Sequence, residues 1–421
     1  MRGTMSPNVS RAVDSGMSSP QNYDAFVITA PGLEALATAE LQALGVADAR
    51  AVEGGVTFTA SQRSLYAANL HLRTASRVVV RASEFGATAF FELQKRAAKV
   101  PWDEFLSPNR AVSLRVTCKK SRLYHSDAVA ERVATAITSR VRGARIVEDA
   151  GDEADAPSQL VIVRLFHDRC TVSIDSSGAL LHRRGYRQAV GKAPMRETLA
   201  AATLLASGWR GQSPLVDPMC GSGTLSIEGA LIARRMAPGL HRDFAFEQWP
   251  DFDAATWREV RADAESTALP QSPVVIQGSD RDEGAIEAAR ANAARAGVSD
   301  DVEFVVRPIS AAESPAEHGW IVSNPPYGVR VGERDPLRNL YAQIGKVVRA
   351  KYAGWHIALV TAEAGLERQL GLGLKPVLRT ANGGIRVRVM AGEVNASSAR
   401  QPTDVAPRKR RRPTRGAAGD R

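Results

Sequence analysis

Beyond Arg187 short apolar runs alternate with helical stretches, and no other feature of the sequence constrains the fold as strongly. The runs are Leu215-Val216, Val274-Val275-Ile276, residues 302–306, Ile321-Val322 and residues 357–360. Strands separated by helices cannot pair through tight turns. The helix carries the chain back across the sheet, so successive strands run parallel. The spacing predicts an α/β, doubly wound sheet over residues 193–391. Near its end, residues 375–379 and 385–390 are joined through Asn382-Gly383-Gly384, which predicts an edge hairpin.

The first part of the chain has a different pattern. Phe26-Val27-Ile28 reads as a strand ending at the Pro31-Gly32 turn. Leu33, Leu36, Ala37, Leu41 and Leu44 then fall at helical spacing, closed by Gly45, and Val56-Thr57-Phe58 is a second strand. Further on, helices are expected at 65–72, 91–99 and 127–141, and strands at 77–85 and 111–118. A hairpin is expected from residues 160–166 and 170–174. This is an α+β layout, helices on a mainly antiparallel sheet. Residues 1–22 are rich in Ser, Pro, Asn and Gly and lack the apolar core of a signal peptide. They are expected to be a disordered tail, as are residues 392–421 with their basic run at 408–412.

Three segments carry chemistry. Asp217-Pro218-Met219-Cys220-Gly221-Ser222-Gly223-Thr224 follows a strand and opens a helix. Glycines there let the backbone turn tightly and approach a ligand at the carboxyl edge of the sheet. A phosphate loop would need a Gly-Lys-Ser/Thr ending, and no lysine follows Gly223. One strand later comes Gly278-Ser279-Asp280. Asp280 reads either as an acceptor for both ribose hydroxyls or as the cap of the helix over 283–296. The third segment, Asn324-Pro325-Pro326-Tyr327, directly follows the strand end Ile321-Val322-Ser323. Two prolines fix a rigid loop in which the Asn324 amide oxygen and the Pro325 carbonyl can accept from one planar NH2 group. Tyr327 offers a ring for an extruded base. An Asx-type turn with no chemical role is the plain alternative.

These segments resemble the class I ribosomal RNA guanine-N2 methyltransferases, specifically the N-terminal methyltransferase half of the bacterial 23S enzymes. The likeness covers residues 188–390 and is carried by Ala193-Pro194-Met195-Arg196-Glu197-Thr198-Leu199, residues 217–224, Ala237-Pro238-Gly239-Leu240 and residues 324–327. Residues 61–175 resemble a THUMP RNA-binding domain, residues 23–60 the ferredoxin-like unit that precedes it, and 176–192 a linker. The resemblance implies a Rossmann-like domain that binds S-adenosyl-L-methionine through Thr198, Asp217, Pro218, Cys220, Gly221, Gly223, Thr224 and Asp280. It implies Asn324, Pro325, Pro326 and Tyr327 as the residues that hold and orient the target base, with no metal. One departure stands out: relatives often place an Asp just past the third strand to bind the adenine amine, where this chain has Arg307-Pro308-Ile309-Ser310.

Charge fits either a polyanionic partner, nucleic acid or an anionic membrane surface, or simply a soluble, non-aggregating surface. The 55 Lys and Arg outnumber 45 Asp and Glu, a formal net charge of +10. Lys119, Lys120, Arg122, Tyr124 and His125 form a basic-aromatic cluster after a strand, and Arg183 and Arg184 a second candidate track. The resemblance implies structured RNA as the partner, ribosomal before transfer RNA. Adenine-N6 or protein-glutamine methylation and a non-catalytic assembly factor are the rival readings. Three scattered cysteines fit a reducing compartment, and no apolar run approaches the ~20 residues that span a bilayer, so a cytoplasmic protein is expected.

Overall fold

A computed structural model describes residues 22–151, 158–188, 195–327 and 334–395. The tail segments 1–21 and 396–421, with the basic run at 408–412, and Ala193 and Pro194 lie outside the described residues.

The N-terminal half runs β1 (Tyr23–Thr29), α1 (Glu34–Ala43), β2 (Arg50–Val52), β3 (Gly55–Ala60), α2 (Gln62–His71), β4 (Ala75–Gly86), α3 (Phe90–Ala97), α4 (Trp102–Phe105), β5 (Ala111–Lys119), α5 (Ser126–Arg140), β6 (Arg145–Val147), β7 (Gln159–Phe166) and β8 (Arg169–Asp175). Period-two burial makes the strands: in β1, Tyr23, Ala25, Val27 and Thr29 point into the core while Asp24 faces water. The eight strands form one sheet in the order β2-β3-β1-β4-β8-β7-β5-β6. It is continuous across the ferredoxin-like and THUMP segments, because β4 pairs with β1 on one side and β8 on the other. The sheet is mainly antiparallel as expected, with β5 alone pairing parallel, to both β6 and β7. The α5 crossover carries the chain back to the start of the sheet, which a hairpin would not do. Strands β2 and β6 were not expected. Each has three residues, all exposed, and so carries no alternation to read.

The second half runs α6 (Glu197–Ser207), β9 (Leu215–Asp217), α7 (Thr224–Ala233), α8 (Ala254–Thr267), β10 (Ile276–Asp280), α9 (Glu283–Arg295), β11 (Glu303–Val306), β12 (Trp320–Ser323), α10 (Arg334–Lys351), β13 (His356–Thr361), α11 (Ala364–Leu370), β14 (Lys375–Asn382) and β15 (Ile385–Glu393). The sheet order is β11-β10-β9-β12-β13-β15-β14. Strands β9 to β13 are parallel as expected, and β15 enters antiparallel between β13 and β14. The chain builds outward from β9 to β11 and then crosses to β12. This leaves a switch point between β9 and β12, where an open α/β sheet has its crevice.

The halves are interlocked. The segment between α7 and β10 crosses to the N-terminal core and buries Phe244, Phe246, Trp249 and Trp257 there. Phe246 stacks on Tyr66 with ring centroids 4.3 Å apart, and Trp249 meets Phe105 edge-on at 5.1 Å. The Trp249 Nε1 donates to Gln159 Oε1 at 3.0 Å, and the Tyr23 hydroxyl donates to Asp251. Residues 176–188, expected as a linker, form a seam in which Ser176, Ser177, Leu181, Arg184 and Tyr186 are buried. A second contact joins Gly32 to the edge of the other sheet: a Cβ there would stand 2.1 Å from the Arg379 carbonyl oxygen, so only glycine fits.

Candidate active site

The glycine loop, the end of β10 and the Asn-Pro-Pro-Tyr loop meet at the carboxyl edge of the second sheet. Asp217 is the last residue of β9 and 2% exposed. Its Oδ1 accepts the Ser323 hydroxyl at 2.6 Å and the Met219 amide at 3.2 Å. Burial pushes its carboxyl up to about 7; those two hydrogen bonds oppose the shift and nearby Asp280 adds to it. Ser323 stands immediately before Asn324, so this bond ties the first motif to the third. The sequence offered no signal for it beyond a small polar residue at a strand end.

The two glycines do different jobs. Gly223 has φ +83°, and a Cβ would lie 2.8 Å from the Phe304 ring and 2.9 Å from Ala289. It lets the helix pack on β11. Gly221 has φ +52° and open space where a Cβ would stand. This is a cradle that a ligand can approach down to the backbone. The Gly221 amide donates to Asp280 Oδ2 at 3.0 Å, and the Cys220 amide donates to the Ser279 carbonyl at 2.9 Å, lacing the loop to β10. The open alternative at Asp280 resolves here: Asp282, not Asp280, caps α9, accepting from the Ala285 amide at 3.2 Å. Asp280 instead accepts from the Gly221 amide at Oδ2 and from the Asp282 amide at Oδ1, 3.1 Å away. Pro218 and Cys220 are buried within the loop.

Thr198, 8% exposed, lies in the first turn of α6, and Thr224 opens α7. Arg187 brings the two helix starts together. It donates to Thr224 Oγ1 at 3.2 Å and to the Met195 carbonyl, and pairs with Glu197 at 3.1 Å. Burial pushes the Glu197 carboxyl up to about 7 while Arg187 pulls it down. Past β11, Pro308 is exposed and opens a short 3-10 turn, and the Arg307 amide is spent on the Asp280 carbonyl at 2.8 Å.

In the third motif Pro325 is buried and Pro326 exposed, its carbonyl accepting from the Tyr341 hydroxyl at 3.4 Å. The Asn324 Oδ1 is buried and has no hydrogen-bond partner among the described residues. A buried acceptor left without a donor costs about 1–3 kcal/mol, so a donor brought by a ligand would be favoured there. Tyr327 is half-buried, and its hydroxyl accepts from Asn382 Nδ2 at 2.8 Å. A cleft of about 450 Å³ lined by Arg234, Pro270, Gln271 and Ser299 opens at the other edge of the sheet, ahead of β10 and β11, away from these motifs.

The basic-aromatic cluster lies at one end of the N-terminal sheet. Lys119, Lys120, Arg122, Tyr124 and His125 are all exposed, and the Tyr124 and His125 rings lie 4.1 Å apart. Asp168 holds three loops together there: its carbonyl accepts from the Ala87 amide at 2.8 Å, its carboxylate from the Arg122 amide at 2.7 Å, and its amide meets Ser121 Oγ at 3.1 Å. Sequence reading missed Arg164 and Phe166 on the adjacent β7. Arg164 stands over the Phe166 ring at 5.3 Å and Lys120 at 5.9 Å. The second track is corrected. Arg184 is 3% exposed, donates to the Leu181 and Arg73 carbonyls and faces Glu228 at 3.5 Å, so it serves the seam and cannot reach RNA. Arg183 beside it is half-buried.

Comparison with known proteins agrees with this layout. Residues 24–79 match the RlmL ferredoxin-like domain, residues 87–175 the THUMP domain, and residues 184–385 the RMKL-like methyltransferase domain. The chain is 34% identical over 370 residues to the Synechocystis protein named "Putative RNA methyltransferase slr0064", covering 88% of this chain and 96% of that one. It is 37% identical over 379 residues to the "Ribosomal RNA large subunit methyltransferase K/L" of Syntrophotalea carbinolica, covering 87% of this chain but spanning only 53% of that protein. Among solved structures, SMU.472, described as "a putative methyltransferase complexed with SAH", superposes with a TM-score of 0.79 at 29% identity, covering 89% of this chain and 99% of that one. S-adenosylhomocysteine is what remains of S-adenosylmethionine after methyl transfer, and the open cradle at Gly221 beside Asp217 and Asp280 fits that cofactor. With its glycine loop, its Asn-Pro-Pro-Tyr loop and a THUMP domain upstream, the chain belongs to the RMKL-like family of S-adenosylmethionine-dependent RNA methyltransferases.

Proposed function

We propose that this protein methylates the exocyclic N2 amine of a guanine in large-subunit ribosomal RNA, in the cytoplasm. The observation that carries the reading is Asn324 Oδ1, buried and without a hydrogen-bond partner among the described residues. With the Pro325 carbonyl it would accept the two N–H groups of an aromatic amine. This orients the nitrogen lone pair and stabilises the positive charge the nitrogen gains as it takes the methyl group. Tyr327 lies against the base once it has left its stack, and Pro326 keeps the loop rigid. S-adenosylmethionine supplies an electrophilic methyl on a sulfonium. Asp217 and Gly221 take its methionine end and Asp280 its ribose; Gly223 shapes the loop through its packing against Phe304, and Pro218, Cys220, Thr198 and Thr224 frame it. The amine nitrogen then loses a proton to solvent, so no general base is required.

The ribosomal target rests on the Syntrophotalea relative's name, and guanine N2 on the motif resemblance to the enzymes of that class. Lys119, Lys120, Arg122, Tyr124, His125 and Arg183 are assigned to RNA capture through phosphate contact and stacking. The test is methyl transfer from isotopically labelled S-adenosylmethionine to total RNA. Label in the large ribosomal RNA, recovered as N2-methylguanosine after digestion, is the expected result. Label in transfer RNA, or recovered as N6-methyladenosine, would overturn the corresponding part of the assignment.

A further inference from the structure

The last hairpin does more than close the sheet. Its turn residues Gly383 and Gly384 have φ +55° and +85°, the two-residue geometry that fixes register, so Asn382 stands opposite Ile385. Strand β15 runs antiparallel to β13 with Arg388 opposite Thr361, the last residue of β13. The first residues of β15 therefore project past the carboxyl edge of the sheet, on the side where β9 and β12 end. From that overhang Asn382 Nδ2 reaches back to the Tyr327 hydroxyl at 2.8 Å. Directly opposed residues of an antiparallel pair share a face. Ile385 is thus on the Tyr327 side of the hairpin, and it is 49% exposed. A lone exposed isoleucine means little by itself. One on the hairpin face whose Asn382 bonds the Tyr327 hydroxyl stands where an extruded base would arrive.

We propose that the hairpin tip is the outer wall of the target-nucleotide site: Asn382 is a positioning residue that fixes the Tyr327 ring, and Ile385 is an apolar contact for the extruded base. This rests on the reading of Tyr327 as the residue that meets the base. The prolines rigidify the backbone of residues 324–327 but leave the tyrosine ring free to rotate about its side-chain bonds. A hydrogen bond at the far end of the ring removes that freedom before the nucleotide arrives, which spares the cost of ordering it in the complex.

The test is a double-mutant cycle on the full chain, using single-turnover methyl transfer to unmodified, transcribed large-subunit ribosomal RNA. Asn382→Ala and Tyr327→Phe should each slow transfer about tenfold, the size of one lost oriented hydrogen bond. The double variant should be no slower than either single, because both remove the same bond. S-adenosylmethionine affinity and melting temperature should stay at wild-type values. Ile385→Ala should raise KM for RNA several-fold at unchanged kcat. A rate for Asn382→Ala within twofold of wild type, multiplicative losses in the double variant, or a loss of cofactor affinity in step with melting temperature would overturn the proposal. Asn324→Ala separates the two readings: if it is inactive while Asn382→Ala is not, only the hairpin assignment fails. If the wild type transfers no methyl to RNA, both fail.

Discussion

At the carboxyl edge of the methyltransferase sheet Asp217 is 2% exposed and held by Ser323 and Met219, and the Asn324 amide oxygen is buried beside that pair. At the loop end of the N-terminal sheet the reverse holds. Tyr124 is 69% exposed, and Lys119, Lys120 and Arg122 extend into solvent from loops pinned beneath them by Asp168. Buried, prearranged dipoles act strongly over short distances and resist salt; exposed charges act weakly, over about a Debye length, and are screened. One end is suited to a reacting atom. The other is suited to gathering a polyanion and letting it slide into register.

The sharpest way to break this contrast is at Asn324. Asn324→Ala should lower the single-turnover rate about a hundredfold or more, with cofactor affinity unchanged by calorimetry, since it removes one oriented acceptor at the reacting centre. A near-normal rate would mean the amine is held elsewhere.

The glycines divide the buried end further. Gly221→Ala should weaken S-adenosylmethionine binding about tenfold and lower the melting temperature only by the cost of its left-handed φ of +52°, because its Cβ enters open space where the ligand would sit. Gly223→Ala should instead lower the melting temperature, because its Cβ would stand 2.8 Å from Phe304. Equal effects of the two on stability would erase the distinction between a cradle and a packing contact.

Asp217 predicts a pH dependence. With its carboxyl at about 7, the anionic form that suits a cationic ligand fills in as pH rises through neutrality. Cofactor affinity should therefore climb from pH 6 to pH 8 in the wild type and stay flat in Asp217→Asn. Stability of the free protein runs the other way. A carboxyl raised on folding stabilises most below its unfolded pKa of about 4, and that contribution is lost as pH rises towards 7. Thermal scans of wild type and Asp217→Asn across that window check the sign.

The smallest effect belongs to the exposed end. Replacing Lys119, Lys120 and Arg122 together by Ala should weaken RNA binding several-fold at low salt and flatten its salt slope by about 0.7–0.9 per lost phosphate contact, with kcat at saturating RNA unchanged. Arg184→Ala should leave that slope alone and lower the melting temperature, since its guanidinium lies in the seam against Glu228.

The parts of the fold that repeat a local pattern were legible in the sequence. Alternation gave the parallel sheet, and Asn382-Gly383-Gly384 gave the edge hairpin. The second parallel strand was placed too early, at Val274-Val275-Ile276, whereas β10 is Ile276–Asp280. Gly278-Ser279-Asp280 reads as loop chemistry, yet the backbone there is sandwiched: a Cβ on Gly278 would meet Phe304 at 2.6 Å and Ser226 at 3.0 Å. Tertiary crowding, which composition does not encode, makes those residues a strand. Arg184 failed for a related reason. A run of basic residues looks like a surface track until Glu228, distant in sequence, supplies the partner that permits burial. The three motifs proposed for the site stand out in the sequence because glycine, proline and carboxylate requirements are local. The Ser323 bond to Asp217 and the Asn382 bond to Tyr327 span 106 and 55 residues and leave no such local mark.

The crossing segment with Phe244, Phe246, Trp249 and Trp257 sets an order on biosynthesis. As the chain leaves the ribosome, the whole N-terminal sheet emerges before the aromatic side chains that cover Tyr66, Tyr23 and Phe105 have been made. Until translation passes Trp257 that apolar face stays open to water, a standing invitation to chaperones and to neighbouring nascent chains.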